Sequence, residues 1–169
     1  MAALYSRDKI KTLKRLLELR EAWRWEGKSV VFTNGVFDLL HAGHVQSLEK
    51  ARSLGDVLVV GLNSDASARR LGKGPGRPIN PWKDRALVLA ALACVDAVVE
   101  FGEDTPAELL SRLKPDVLAK GADYRKRQVA GREYAGKVAL IPLAKGRSTT
   151  ALIGKISRLA RLKPAARRS

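Results

Sequence analysis

A single cysteine and few aromatics, 5% of 169 residues, are the first limits on what this chain does. The lone thiol, Cys94, closes no internal disulfide and lies in the apolar run Leu87–Val95, so it reads as a packing residue. With so few rings, a base-stacking surface for single-stranded nucleic acid has little to build from. No run of about 18 apolar residues occurs, so a spanning helix is not expected and no membrane partner is implied. The charged, periodic N-terminus lacks the profile of a secretory signal, and a cytoplasmic protein is expected. Acidic residues are scarce beside basic ones, 17 against 32, for a net charge of +15. That balance attracts polyanions. The basic residues are nevertheless spread over the N-terminal segment, the middle loops and the tail, with no helix-turn-helix pattern. A polyphosphate substrate accounts for them as well as a nucleic acid does.

Hydropathy patterning divides the chain. Leu4, Ile10, Leu13, Leu16, Leu17, Leu19 and Trp23 recur at helical spacing, so residues 1–27 are expected to hold one amphipathic helix, over 4–25, ended by Gly27. Trp23 and Trp25 are expected to pack against the domain or a partner subunit. From Lys28 to Leu162, short β-branched runs alternate with helical ones. Strands are expected at 29–33, 56–62, 97–101, 116–120 and 138–143, and helices at 41–53, 81–93, 106–113 and 149–162. Residues 63–78 read as a polar loop rich in Gly and Pro, and 163–169 as a basic, disordered tail. This alternation predicts an α/β domain with a Rossmann-like parallel sheet of about five strands and helices on both faces. In such sheets ligands bind beyond the carboxyl ends of the strands. The chemistry-bearing loops, 33–44, 63–77, 120–124 and 146–150, all follow predicted strands.

The only two histidines of the chain fall together, in His41-Ala42-Gly43-His44. Three apart at a helix start, their rings share a face, and Gly43 allows close approach to the backbone. Free N–H groups at the helix N-terminus favour an anion, and imidazole adds donors. Surface histidines and a metal pair are the alternatives, although a zinc site needs more ligands than two.

Thr33-Asn34-Gly35-Val36-Phe37-Asp38 followed by that motif resembles the signature of the cytidylyltransferase-like nucleotidyltransferases. Within that superfamily the blocks Val60–Ser67, Gly76–Pro81 with Asp84-Arg85, Lys120–Tyr124 and Gly146–Thr150 are most similar to the D-glycero-β-D-manno-heptose 1-phosphate adenylyltransferases, in their stand-alone form without a sugar kinase. The resemblance spans about residues 28–158, and the segment around Arg132–Lys137 is shorter than in that family. It implies a nucleotidyltransferase that joins ATP, with Mg²⁺, to a sugar 1-phosphate and releases pyrophosphate, making ADP-heptose for lipopolysaccharide. It also implies a homodimer.

The resemblance and the chemistry of the side chains together suggest roles. His41 and His44, with Lys73 and Arg147, are expected to act on the triphosphate and the transition state. Thr33, Asn34, Gly35, Phe37 and Gly43 form the turn beneath the nucleotide. Arg85 is a candidate phosphate grip, with a surface pair to Asp84 as the alternative. Asp123 is placed for base or ribose. Ser148, Thr149 and Thr150 open the last helix toward the β- and γ-phosphates. Asp38, Asn63, Asp65 and Arg77 are assigned to the sugar phosphate. A CTP-dependent enzyme acting on glycerol 3-phosphate or a related phospho-alcohol, and a nucleic-acid-binding protein, are the competing readings. Gly131–Lys137 has P-loop spacing, but Val138 stands where Ser or Thr is required and an apolar strand follows, so it is rejected.

Overall fold

The computed structural model describes residues 5–72, 74, 76–122, 129–142, 146 and 148–161. Its centre is a parallel sheet built from short, β-branched strands. These are β1 (Ile10–Lys11), β2 (Val30–Gly35), β3 (Val57–Asn63), β4 (Ala97–Phe101), β5 (Val117–Gly121) and β6 (Lys137–Ile141). Their order across the sheet is β1-β4-β3-β2-β5-β6, all pairs parallel. The chain steps outward from β2 through β3 to β4, then returns to β5 and β6 on the other side. The order therefore reverses between β2 and β5, the place where open α/β sheets form a crevice. β3 is buried along its whole length, as a central strand covered on both faces must be.

The helices are α1 (Leu13–Trp25), α2 (Ala42–Arg52), α3 (Asp65–Arg70), α4 (Trp82–Ala90), α5 (Ala107–Leu113) and α6 (Thr149–Arg161). One apolar layer joins Leu48 and Ala51 of α2 and Ala86 and Leu89 of α4 to Val31, Val60 and Val98 of the sheet. The other joins Leu16 of α1 and Leu110 and Leu113 of α5 to Val30, Phe32 and Leu118. Alternate residues of each strand face opposite layers, as a period of two requires. Cys94 packs, partly buried, against the first layer.

Three expectations are corrected, for the N-terminal segment, the number of strands and the loop 63–78. The N-terminal segment is not one helix from residue 4. A 3₁₀ turn (Ser6–Lys9) leads into β1, and α1 starts only after Thr12, whose hydroxyl caps it by accepting from the N–H of Arg15. The sheet accordingly has six strands, because Ile10 and Lys11 pair with Val98 and Val99. Residues 63–78 are not all loop. Asp65–Arg70 is helical, with Ser64 as its cap. Trp23 packs on the second layer, but Trp25 is 90% exposed. The segment 163–169 lies outside the described residues.

Candidate active site

Strand β2 is apolar and buried through Phe32 and then emerges as Thr33-Asn34-Gly35 at the carboxyl edge of the sheet. The turn that follows is tight. Phe37 has a φ of +45°, and its ring lies against Gly35, where a Cβ would come within 3.0 Å of Phe37 Cε2. A side chain at position 35 would need the Phe37 ring to give by a few tenths of an ångström. His41 is the N-cap of α2 and makes no side-chain cap bond; its carbonyl, instead, accepts from the N–H of His44 at 2.8 Å. The two imidazoles stack, with centroids 3.8 Å apart at 18°, and the Phe37 ring meets His44 edge-on at 5.3 Å. His41 Nδ1 is buried and has no hydrogen-bond partner among the described residues, an arrangement that suits a ligand atom. Gly43 is buried in the same first turn.

The start of α6 reaches the same place. Thr149 Oγ1 donates to the carbonyl of Leu39 at 3.3 Å, two residues before His41. Ser148 acts as the cap of α6, its hydroxyl accepting from the N–H of Ala151, so that oxygen is occupied in starting the helix; Thr150 is exposed. Two helix N-termini thus flank one loop, and both present N–H groups suited to an anion. Beside them opens a small cleft lined by Thr33, Phe37, Ser47, Leu48, Lys120, Gly121 and Ile141. Lys73, Asp123 and Arg147 lie outside the described residues.

The residues expected to hold the sugar phosphate, and Arg85, are occupied differently. Asp38 is 4% exposed. One of its oxygens accepts from the backbone N–H groups of Ile79 and Asn80, and the other from Arg77 Nε at 2.6 Å. Burial alone would raise this carboxyl. The N–H groups of Asn80 and Ile79 and the Arg77 guanidinium more than offset it, holding Asp38 below the ordinary carboxylate value. Asp38 and Arg77 therefore clamp the loop before α4 onto the turn after β2.

Arg85 is likewise no free phosphate grip, and its ion-pair partner is Asp65, not Asp84. It is 2% exposed and donates to the carbonyls of Asn80, Val36 and Asn63 and to Asp65 Oδ1. Asp65 is opposed by burial but favoured by Arg85 and by the N–H of Trp82 at the start of α4, and its carboxyl is held low. Asn63 is buried and donates to Ser67 Oγ, which itself donates to the carbonyl of Glu103. Arg85, Asp65, Asn63 and Ser67 thereby tie the ends of β2 and β3 to α3 and α4. Lys120, of which no role was expected, is the one charged residue of an otherwise apolar strand and is only 7% exposed; that contrast in the sequence was the signal available.

The cytidylyltransferase-like family model matches residues 32–155, which include the whole crevice. The chain belongs to the cytidylyltransferase-like family. Among cytidylyltransferase-like relatives, the Bifunctional protein HldE of Syntrophotalea carbinolica is 55% identical over 158 residues, covering 91% of this chain and 32% of that protein. The chain thus spans about a third of the length of the curated relatives it matches. Among solved structures, the lipopolysaccharide core biosynthesis protein of Thermoplasma volcanium GSS1 is 30% identical with a TM-score of 0.59, covering 72% of this chain and all of that one. Pantoate-beta-alanine ligase of Francisella tularensis shares the fold at 18% identity and a TM-score of 0.57, covering 90% and 78%. No helix among the described residues is long and apolar enough to cross a membrane.

Proposed function

We propose that this chain is a nucleotidyltransferase that joins ATP to D-glycero-β-D-manno-heptose 1-phosphate, giving ADP-heptose and pyrophosphate. The observation that carries the reading is the stacked His41–His44 pair on the first turn of α2, beside the start of α6, in a cytidylyltransferase-like domain. The heptose phosphate as acceptor is supported by the similarity to the HldE proteins and to the lipopolysaccharide core biosynthesis protein.

In this reaction a phosphate oxygen of the sugar 1-phosphate attacks the α-phosphorus of ATP. A new P–O bond forms, the α–β bridging bond breaks, and pyrophosphate leaves with the electron pair. The second pKa of a phosphate monoester is about 6, so the nucleophile is already mostly ionised at neutral pH and no general base is needed. The work left to the protein is alignment of two anions and stabilisation of charge at the α-phosphate and the leaving group. His41 and His44 act as donors to that charge, with Lys73 and Arg147. Thr33, Asn34, Gly35, Phe37 and Gly43 shape the floor, the α6 start with Ser148, Thr149 and Thr150 meets the β- and γ-phosphates, and Asp123 meets base or ribose. Mg²⁺ enters as part of the ATP substrate, where it neutralises phosphate charge. The enzyme works in the cytoplasm as a homodimer.

The test is pyrophosphate release with ATP or CTP crossed against heptose 1-phosphate and glycerol 3-phosphate. Release with ATP plus heptose 1-phosphate is expected. Turnover of CTP with glycerol 3-phosphate, and none with the heptose pair, would overturn the assignment.

A further inference from the structure

Strand β5 reads Val-Leu-Ala-Lys-Gly, four buried residues before the glycine, and the fourth is a lysine. Burying an ammonium is costly unless its donors are used. β2 and β5 run in parallel with Phe32 beside Leu118, and two residues further along each strand come Asn34 and Lys120. Side chains two apart share a face, so these two meet at the carboxyl edge of the sheet, at the point where strand order reverses. Lys120 Nζ donates to Asn34 Oδ1.

The direction of that bond matters. An ammonium has donors only, so it selects the carbonyl end of the amide and settles which way the amide is turned. With Oδ1 held by the cation, the end of Asn34 that is left is Nδ2, with two N–H donors, for which no acceptor occurs among the described residues. Lys120 itself lines the cleft beside Phe37, the residue whose ring touches His44. We propose that Lys120 is a positioning residue for the nucleotide: it locks Asn34 so that only donors face an incoming polyphosphate. The inference rests on reading the cleft as a nucleotide site, but not on the identity of the acceptor. It also explains why an amide serves here. Aspartate would pair with Lys120 equally well, yet would present an acceptor to an anion.

The experiment measures binding of ATP and of inorganic pyrophosphate by titration calorimetry in the whole chain, with the thermal midpoint recorded for every variant. Lys120→Met keeps length and removes the ammonium. It is expected to weaken ATP on the order of tenfold or more, raising KM for ATP more than it lowers kcat. Asn34→Asp, which retains a partner for Lys120, is expected to keep the thermal midpoint and still lose ATP binding. Lys120→Arg, which restores a cationic donor, is expected to recover part of the loss and covers the case in which the methionine variant fails to fold. In a cycle with Asn34→Ala, adding Lys120→Met should cost little more, because the lysine acts through the amide.

Folded Lys120→Met with wild-type affinity overturns the proposal, and so do fully additive losses in the cycle, or full binding in Asn34→Asp. The two readings fail separately. A chain that binds ATP through this pair but never turns over heptose 1-phosphate refutes the acceptor alone. A chain that turns it over at wild-type ATP affinity after Lys120→Met refutes only the role of Lys120.

Discussion

His41 and His44 stack 3.8 Å apart on one helix turn, side by side. Under the proposed reaction, whose nucleophile needs no activation, that placement suits two adjacent donors better than an acid and a base on opposite sides of a reacting bond. His44→Ala is expected to lower kcat by on the order of 10²-fold, the cost of losing one transition-state donor. The fold should survive, since the helix start depends on the His41 carbonyl and not on either ring. Stopped assays of pyrophosphate release with circular dichroism on the same sample check both halves; near-normal kcat in a folded variant excludes the donor role. At this scale the histidines were legible because spacing alone puts them on one face. The internal partners of Asp38, Arg77 and Arg85 were not legible, because a carboxylate or guanidinium in a loop motif looks the same whether it holds a ligand or another loop. Only their burial and partners, which come from segments up to 49 residues away, separate the two.

The elements that were legible are those whose burial pattern is local. Val57–Asn63 is a continuous apolar run, and α2 and α4 carry core residues at helical spacing, so alternation of strand and helix was enough to predict a covered parallel sheet. Two elements escaped for opposite reasons. β1 is two residues long and exists through pairing with β4, 88 positions away, so no local pattern marks it. α3 is six residues with no apolar stripe, held by the Ser64 cap and by the Arg85–Asp65 pair, which are tertiary and capping effects. The Asp38 clamp makes an element-scale prediction. Its folded carboxyl is held below the ordinary value of about 3.9, so the stabilisation is fully present above that value and is lost as pH falls through the lower, folded one. The difference in urea midpoint between wild type and Asp38→Asn should therefore stay constant from about pH 7 to 5 and narrow below about pH 4. A difference that persists unchanged at pH 3 would contradict the clamp.

Taken as a whole, the molecule combines a net charge of +15 with a loop flanked by two helix N-termini. Binding of a polyphosphate to the folded chain alone must raise its stability by mass action. ATP with Mg²⁺ at about 100 times its dissociation constant is expected to add about 2.7 kcal/mol, seen as a rise in thermal midpoint. Part of that affinity should weaken with added salt, because exposed charges are screened over about 8–10 Å at ordinary ionic strength. A duplex oligonucleotide that raises the midpoint more than ATP does would favour the nucleic-acid reading instead.

Arg85 has a consequence for which changes of length the chain tolerates. One guanidinium ties the carbonyl after β2, the carbonyl ending β3, the carbonyl before α4 and the carboxylate opening α3. A single residue inserted at Val36, Asn63 or Asn80 would shift one of these acceptors away from a buried guanidinium and leave one of its donors without a partner. Gly72, Gly74 and Gly76, by contrast, have nothing within 4 Å of where a Cβ would stand. The described residues Leu71, Gly72, Gly74 and Gly76 are exposed, so a change of loop length, the ordinary route by which a fold acquires new specificities, is expected to cost less stability there than at the rim around β2 and β3.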